Sequence, residues 1–331
     1  MDRRSWALLY ALAGVWGASY LLIKIGLDDL SPVWVAWGRT LMAAIVLLPF
    51  ALHLGALRGL AARWRAVLVL AFIQVVIPFT LISWGEQEVP TALTGILIAS
   101  APLYTAVLAI WVDHEERVEG VRLVGLLIGI VGVIALVGLD LSGSTAALLG
   151  GLAILVASIG YAAGGLVLKN NLPGASPVGV VAAIMVAGAV MLAPLAAFTA
   201  PDRVPGVGPI AAVAALGLVG TGVAFVVFYR LIRKVGPGRA LIVSYLAPGF
   251  AVVYGALLLD EVITAGTLIG LGLILAGSWL AAEGGFRRRR APDQEPPEID
   301  VTVGGIAPGG VSASSALRPS RVVDLDGRGD D

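Results

Sequence analysis

Residues 91–132 read TALTGILIASAPLYTAVLAIWVDHEERVEGVRLVGLLIGIVG, and residues 238–277 read GRALIVSYLAPGFAVVYGALLLDEVITAGTLIGLGLILAG. Each stretch is an apolar run with one proline, then a short charged tip, then a second apolar run rich in glycine. In both, a glutamate follows thirteen residues after the proline, counted from Pro102 or from Pro248. Self-similarity at a fixed spacing is the signature of a repeated structural unit. The chain is therefore predicted to consist of two related halves.

The composition indicates the class of protein. The 331 residues have a mean hydropathy of +0.94, only 13% of them are charged, and 43 are glycine. A soluble globular chain carries about 25% charged residues and about 7% glycine, whereas membrane helices use more glycine. The chain is therefore predicted to be an integral membrane protein. It has no cysteine, which excludes disulfides, thiolate metal ligands and cysteine nucleophiles.

Ten apolar segments are long enough to cross a bilayer. Spanning about 30 Å of hydrocarbon takes about 20 mostly apolar residues in a helix. Because lipid offers no hydrogen-bond partners, spans are helices or closed barrels, and barrel strands are about ten residues long with alternating polarity. These segments are longer and apolar throughout, so they are predicted to be helices. They are Ser5–Lys24, Val33–Leu52, Ala66–Trp84, Thr91–Val112, Val121–Leu139, Ala146–Leu168, Val178–Thr199, Pro209–Ile232, Gly238–Leu259 and Ala265–Ala282.

Basic residues are concentrated in the loops on one side of the predicted bundle. Those loops contain sixteen Lys and Arg residues, whereas the loops on the other side contain Arg203, with Lys24 at a helix edge. An excess of Lys and Arg in short loops marks the cytoplasmic side. Both termini are therefore predicted to be cytoplasmic, which agrees with ten helices in the plasma membrane.

The two halves match at an offset of 145 residues, which is 146 for Pro102 with Pro248. The residues that match are Trp16 with Tyr161, Lys24 with Lys169, Pro32 with Pro177, Pro49 with Pro194 and Pro102 with Pro248. Because five spans is an odd number, the second half enters the membrane from the opposite side. Inverted repeats are typical of secondary transporters, whose substrate site lies near the midplane between the halves. The predicted fold is all-α, with ten transmembrane helices in two inverted five-helix repeats at 1–140 and 146–283. A disordered cytoplasmic tail at 284–331 is predicted from its polar composition.

Several functions are excluded by what the sequence lacks. It has no G-x-x-x-x-G-K-[ST] phosphate loop, no H-E-x-x-H zinc motif and no G-x-S-x-G nucleophile motif. The acidic residues fall in loops or at helix ends, so no catalytic carboxylate pair is expected at membrane depth. The chain is therefore expected not to be an enzyme and to need no cofactor or metal. Its expected partners are a small-molecule substrate and the lipid bilayer, with no nucleic acid, and it is a monomer or a homodimer.

Polar and aromatic side chains at middle depth are the candidates for a binding site. An ionisable side chain at the bilayer centre costs about 2.5–3.5 kcal/mol to insert, so Arg39 is a functional candidate that would attract a substrate carboxylate. The structural alternative for it is snorkelling, or pairing with Asp28, Glu86 or Glu88. Gln74 either joins helices or contacts ligand, and the aromatic residues either pack or line a pocket. The candidate substrate-binding residues are Trp16, Tyr20, Arg39, Gln74, Ser100, Tyr104, Tyr161, Ser244 and Tyr245.

Pro102 and Pro248 lie at mid-span in repeat-related helices. A proline inside a helix removes one backbone hydrogen bond and kinks the segment, which releases the carbonyls of Ile98 and Ser244. Irregular backbone at this depth is tolerated where it is buried or lines a cavity. Both prolines are therefore hinge candidates, and packing of the helix shape is the alternative.

Glutamates end the fourth and ninth helices on opposite faces, at Glu115 and Glu261. They are expected to interact with the positive amino end of the following helix. Pairs of glycines four residues apart allow close helix approach, and these contacts are expected within the chain. The pairs are Gly125 with Gly129, Gly160 with Gly164, and Gly266 with Gly270.

These features together resemble the drug/metabolite transporter superfamily, in particular its ten-helix EamA-type carriers. The residues that carry the resemblance are Trp16-Gly17, Lys24, Pro32, Arg39, Ala101-Pro102, Glu115, Ala247-Pro248 and Glu261. The resemblance covers about residues 6–282 and implies a five-plus-five bundle that moves small metabolites across the plasma membrane, often outward. Ile184 stands where the repeat mate of Arg39 would be, so any role of Arg39 is one-sided.

The predicted function is secondary transport by alternating access, as efflux or exchange. The predicted substrates are small metabolites such as amino acids, or amphipathic xenobiotics. Their cavity is expected between the first four helices of each half, with the fifth and tenth helices as peripheral supports. Two alternatives remain: a membrane channel, whose flux neither saturates nor exchanges, and a membrane scaffold that transports nothing.

Overall fold

A computed structural model of the protein describes residues 2–112, 120–141 and 143–283, which form ten helical spans and contain no strand. Nine of these described spans are long and apolar enough to cross a membrane, and the tenth is a shorter apolar helix. Glu115 and the tail at 284–331 lie outside the described residues. The spans are α1 (Arg3–Gly26), α2 (Pro32–His53), α3 (Ala61–Gly85), α4 (Thr91–Ile98 and Ala101–Val112), α5 (Val121–Leu141), α6 (Thr145–Asn171), α7 (Pro177–Phe198), α8 (Val207–Val235), α9 (Pro237–Ala240 and Ile242–Leu258) and α10 (Ala265–Glu283).

Repeat-related helices begin in the same way. α2 and α7 each have proline at the first position, after Ser31 and Ser176, where the missing N–H of proline has no partner to lose. Ser31 Oγ accepts a hydrogen bond from the N–H of Trp34 at 3.3 Å. Such a side-chain cap satisfies one of the free donors at a helix start.

The two five-helix units pack against each other along several helices. Repeat mates meet each other in the pairs α2–α7, α4–α9 and α5–α10, and the α1–α8 contact between the repeats is matched by the α6–α3 contact, which also joins the two repeats. Because each unit has five spans, the two units run through the membrane in opposite directions. The predicted all-α fold with two inverted repeats is confirmed.

Glycines bring α5 and α10 together. A Cβ atom added at Gly125 would lie 2.5 Å from Leu280 Cβ, and one at Gly277 would lie 2.4 Å from the Gly129 nitrogen. On the opposite side of α5, large apolar side chains such as Leu127 and Ile134 are exposed. The pair therefore packs backbone against backbone, with an apolar outer surface of the kind that faces lipid.

The other glycine pairs also make contacts within the chain. On α6, a Cβ at Gly160 would lie 2.8 Å from the Ile73 carbonyl of α3, and one at Gly164 would lie 3.0 Å from Gln74 Cβ. On α10, a Cβ at Gly270 would lie 2.7 Å from Leu136 of α5. These small residues therefore set the distances between helices of the same chain.

α3 and α8 each contain a π-helical turn, at Phe72–Val76 and Leu218–Val223. The two turns begin 146 residues apart, which is also the offset between Pro102 and Pro248. π-helical turns interrupt an α-helix and occur frequently at functional sites. Gln74 lies on the first turn and Thr221 on the second, so both turns carry a polar side chain at middle depth.

α4 breaks completely at residues 99–100, whereas Pro248 lies inside the uninterrupted segment Ile242–Leu258. The predicted symmetric kinks are therefore a break in one repeat and a continuous helix in the other. Serine hydroxyls replace the lost helix bonds: Ser158 donates to the Ile98 carbonyl at 3.3 Å, and Ser278 donates to the Ala99 carbonyl at 3.1 Å. Only α4 has these serine donors beside it among the described residues.

Candidate functional site

The loops distinguish the two ends of the bundle. We call the end that carries Arg58 and Lys169 the basic end, and the end that carries Glu86 and Glu261 the acidic end. A central cavity of about 1040 Å³ lies between the two repeats and reaches the basic end at residues 172–177. It is lined by α1–α4 and α6–α9, together with Arg122 and Ala281 near the ends of α5 and α10.

Seven of the nine predicted substrate-binding residues line this cavity. They are Trp16, Tyr20, Arg39, Gln74, Tyr161, Ser244 and Tyr245, and Pro102 and Pro248 line it as well. The structure therefore brings together side chains from both repeats that are up to 229 residues apart in sequence.

Two predicted residues lie elsewhere. Ser100 is fully buried, and its hydroxyl donates to the Leu97 carbonyl at 2.5 Å, because the break in α4 leaves carbonyls that need donors. Tyr104 is absent from the lining although its neighbour Thr105 belongs to it. Successive residues on an α-helix point about 100° apart, since a turn takes about 3.6 residues.

Arg39 is held in the cavity by the opposite repeat. Its Nε donates to Thr221 Oγ1 at 3.0 Å, and its guanidinium carbon lies 3.9 Å from the centre of the Phe79 ring. A cation over an aromatic face is attracted by the negative charge of that face. Tyr161, Tyr20 and Glu86 also interact with it electrostatically.

Neither structural alternative for Arg39 fits its position. The side chain lies in the cavity and does not snorkel to the surface, and within the described chain it forms no salt bridge with an acidic residue. Ile184, at the repeat-related position in α7, also lines the cavity. The guanidinium therefore has donors left for a ligand, and the second repeat has no cation to match it.

Aromatic rings form one wall of the cavity. Trp16 of α1 lies 5.9 Å from Phe225 and 5.1 Å from Phe228, and Phe225 lies 6.1 Å from Tyr229, measured between ring centres. Offset and edge contacts of this kind stabilise aromatic clusters. The middle of the cavity thus has Arg39 beside a large apolar face, which suits an amphipathic anion.

The acidic end is closed by a bond between the repeats. The carboxylate of Glu261 accepts hydrogen bonds from the N–H groups of Thr91 at 2.6 Å and Ala92 at 2.9 Å. The prediction that Glu261 serves the following helix is wrong, because it caps α4 and the following helix is capped by Thr264, whose hydroxyl accepts from Thr267 N–H at 3.0 Å. A carboxylate on the free N–H groups of a helix start is a charge-assisted cap.

Lys24 and close helix packing complete the closure. Lys24 Nζ donates to the Glu86 carbonyl at 2.6 Å. A Cβ added at Gly17 would lie 2.5 Å from Phe250 Cβ, and one at Gly95 would lie 2.6 Å from Ala251 Cβ. α1, α4 and α9 therefore meet at this end without room for an added methyl group.

Glu86 lies within this closure, fully buried, and neither carboxylate oxygen has a hydrogen-bond partner among the described residues. The hydroxyl of Thr94 faces it but donates to the Pro90 carbonyl at 3.2 Å. Sequence reasoning treated Glu86 as a loop residue because it directly follows the third span. It also missed Thr221 and Phe79, and for Thr221 the available signal was a hydroxyl at middle depth.

The open basic end is electropositive. Arg122 and Lys169 line the mouth of the cavity, and the Arg122 Nε is buried without a hydrogen-bond partner in the part of the chain that the structure describes. Cationic groups around a cleft raise the local concentration of anions. No group of three metal-ligating side chains comes together among the described residues.

Known proteins resemble this chain over most of its length. An inner membrane transporter of Escherichia coli strain K12, YedA, is 29% identical over 271 residues, which cover 81% of this chain and 87% of that protein. The "Probable amino-acid metabolite efflux pump" of the same strain is 25% identical over 301 residues, which cover 88% and 98%. A solved crystal structure aligns with a TM-score of 0.59 at 17% identity, over 88% of this chain and 100% of that chain. This last likeness concerns the fold alone.

The model of one family matches the chain twice. The EamA-like transporter family matches residues 4–138 and again residues 148–282. The two matches fall on the two five-helix units, whose interface contains the cavity. The chain belongs to the EamA-like transporter family.

Proposed function

We propose that this transporter exports carboxylate-bearing amphipathic metabolites, of which amino acids are the nearest class, by alternating access. The observation that carries the proposal is Arg39, a cation without an acidic partner among the described residues, in a cavity open at one end. Burying an unpaired charge is costly, and a substrate carboxylate would pair with it.

The direction follows from the charge of the two ends. Short basic loops mark the cytoplasmic side, so we place the basic end, with the open mouth of the cavity, in the cytoplasm of a cell with this chain in its plasma membrane. Arg122 and Lys169 at the mouth would then gather anionic solutes from the cytoplasm. The closed acidic end would face the outside.

The substrate class follows from the chemistry of the lining. A guanidinium forms paired hydrogen bonds with a carboxylate, and the rings around Trp16 offer an apolar surface with negative faces that attract an ammonium group. The cavity of about 1040 Å³ is at the upper end of ordinary ligand sites of about 300–1,000 Å³. It therefore has room for bulky amino acids and for amphipathic xenobiotics. The relative named as an amino-acid metabolite efflux pump supports this class.

The break in α4 supports a hinge at Pro102. Helix segments that are not joined by continuous hydrogen bonds pivot more easily than an intact helix, and hinges are a few residues at element ends. The outer segment Thr91–Ile98 is held at the acidic end by Glu261, whereas the segment Ala101–Val112 borders the open part of the cavity. Pro248 would contribute as a fixed bend.

Uptake into inside-out membrane vesicles tests the proposal, because these vesicles expose the basic end under the proposed orientation. We expect saturable uptake of radiolabelled phenylalanine that is accelerated by unlabelled phenylalanine inside, and much weaker uptake of phenethylamine, which lacks the carboxylate. Arg39→Gln is expected to lower phenylalanine uptake at least about tenfold, since hydrogen bonds to charged groups contribute about 1.5–3 kcal/mol.

Arg203→Gln is the matched control, because its side chain is 86% exposed at the acidic end, and it should leave uptake unchanged. Linear uptake without acceleration from inside would indicate a channel. Equal uptake of phenylalanine and phenethylamine, or full activity of Arg39→Gln, would contradict the role of Arg39.

A further inference from the structure

Glu86 is a buried titratable group that the binding site does not use. It directly follows α3 at the acidic end, its side chain is fully buried, and neither carboxylate oxygen has a hydrogen-bond partner in the described part of the chain. The neighbouring acid Glu261, by contrast, receives two backbone N–H groups. Of the two carboxyl groups at the closed end, Glu261 therefore has hydrogen-bond donors that stabilise its charge, whereas Glu86 has none among the described residues.

The surroundings of Glu86 favour its neutral form. An ionised carboxylate without donors is expensive to bury, whereas the protonated acid carries no charge. The nearest cation does not neutralise it, because Lys24 Nζ is bound to the backbone carbonyl of Glu86 at 2.6 Å, and the structure has no salt bridge between the two side chains. The charged and titratable groups that face Glu86 are Lys24 and Tyr20 of α1, Arg39 of α2, and Glu261 after α9.

The electrostatic interactions of Glu86 also favour its neutral form on balance. Burial raises the pKa of the Glu86 carboxyl well above its ordinary value, and the carboxylate of Glu261 acts in the same direction, while Lys24, the Thr94 hydroxyl and Arg39 oppose it. Opening of the acidic end would admit water, remove the burial and return the group toward an ordinary pKa of about 4.3.

We propose that Glu86 is a proton-binding site of the acidic-end closure, protonated while that end is closed and deprotonated when it opens. On opening, the O–H bond of the carboxylic acid breaks and the proton passes to water on the acidic side. On closing, one proton is taken up from that side. This inference rests on the proposed alternating access, and it assigns a proton to the step that opens and closes the outer face.

The sign of the pH dependence follows from linkage. Between the ordinary and the raised pKa, the closed state holds one more proton than the open state. Acid therefore stabilises the closed state, and each rise of one pH unit in that window raises the ratio of open to closed by up to about tenfold.

A single cysteine measures the opening directly, because the chain has no native cysteine. Ser19→Cys places a thiol on the cavity wall near the acidic end, at a side chain that is 4% exposed. Intact cells that carry the Ser19→Cys reporter are treated with a membrane-impermeant maleimide at about pH 5 and about pH 8. At each pH, the rate of thiol labelling is divided by the labelling rate of the same reporter in a Glu86→Gln background. The division cancels the pH dependence of the thiol itself.

Glutamine imitates the neutral acid, so Glu86→Gln should keep the acidic end closed at every pH. We expect the rate ratio to be near one at about pH 5 and at least about tenfold higher at about pH 8. Glu86→Asp, which keeps a carboxyl group, should restore part of the pH dependence. Labelling of every variant from the basic end, in inside-out vesicles, shows that the protein is folded.

Glu88→Gln is the matched control, because Glu88 lies two residues away and is exposed. It should leave the pH dependence of the parent unchanged. A labelling-rate ratio that does not change with pH overturns the inference about Glu86 but leaves the proposed alternating access intact. Faster labelling of Glu86→Gln than of the parent has the same consequence, because it would mean that an ionised Glu86 holds the acidic end closed. A parent that is never labelled from outside, at any pH, overturns the proposed alternating access as well.

Discussion

At the acidic end, α1 packs against both α4 and α9, whereas at the basic end its repeat mate α6 packs against α4 without a comparable contact with α9 in the described chain. The repeat therefore supplies the same helices to both ends, and only one end is closed. Glycines explain part of the difference, because Gly17 and Gly95 of the closed end correspond to Ala162 and Leu241 of the open end. The closure depends on small residues that the other end lacks.

Disrupting the contact between α1 and α9 is expected to have the largest effect on the difference between the two ends. Gly17→Leu puts a side chain where a single Cβ already lies 2.5 Å from Phe250 Cβ and 2.7 Å from the Ala247 carbonyl. Overpacking costs about 1–3 kcal/mol and occasionally more, and here the obstacle includes backbone. We expect the acidic end to stay open, so that the Ser19→Cys reporter is labelled from outside at a rate independent of pH and uptake by inside-out vesicles is lost.

Gly165→Ala provides the control for this substitution, because an added Cβ at Gly165 meets no atom within 4 Å. It should leave both labelling and uptake unchanged. Normal closure in Gly17→Leu would show that the contact between α1 and α9 does not hold the acidic end shut.

Weakening the Glu261 cap on α4 is expected to have the second largest effect on the closure of the acidic end. Glu261→Gln removes the charge from the group that accepts the N–H bonds of Thr91 and Ala92. Hydrogen bonds to charged groups contribute about 1.5–3 kcal/mol against about 1 kcal/mol for neutral ones. We expect outside labelling of the reporter to rise about tenfold at constant pH. Asp202→Asn, which removes an exposed charge of the same end, should not change it. Unaltered labelling in Glu261→Gln would make this bond a consequence of the closure and not its cause.

The π-helical turn of α8, which carries Thr221, gives a smaller effect within the binding site. Thr221→Val removes the hydroxyl that accepts a hydrogen bond from Arg39 Nε at 3.0 Å. Because Arg39 is charged, the bond itself is of the stronger class of about 1.5–3 kcal/mol, but Thr221 is fully buried and acts on the substrate only by positioning Arg39. We therefore expect the KM for phenylalanine uptake to rise by only about threefold to tenfold, with little change in the maximal rate. Thr105→Val changes a cavity hydroxyl that bonds the Ala101 carbonyl of its own helix, so its KM should stay normal. A larger effect of Thr105→Val would place the substrate away from Arg39.

Much of the fold could be read from the chain itself. Ten apolar runs of spanning length, matched prolines 145 or 146 residues apart and the odd number of spans per half predict the ten helices and the two inverted repeats. The same periodicities placed Trp16, Tyr20 and Tyr161 at middle depth, where the cavity lies. The length of an apolar segment and the spacing between repeats are visible in the sequence, so they can be recognised without knowledge of tertiary contacts.

Other features depend on which helix lies beside which. Ser100 appeared to be a ligand because it precedes a mid-span proline, but a complete break in α4 uses its hydroxyl for the backbone. Glu261 appeared to serve the helix that follows it, but its carboxylate reaches α4, 170 residues away. The prediction for Glu261 is wrong, and Ser100 lies outside the cavity lining, because the partner of a polar atom depends on which helices pack beside it.

The amino-acid sequence by itself determined that this protein is a ten-helix membrane bundle of two inverted halves, because hydrophobic length and periodicity are written into each segment. Only the tertiary structure decided that Arg39 faces Thr221 of the other half, that Glu86 is buried without a partner, and that one end of the cavity is closed. The physical reason is that burial, hydrogen bonding and closure are relations between helices distant in sequence, and two halves with the same pattern do not have to take the same arrangement.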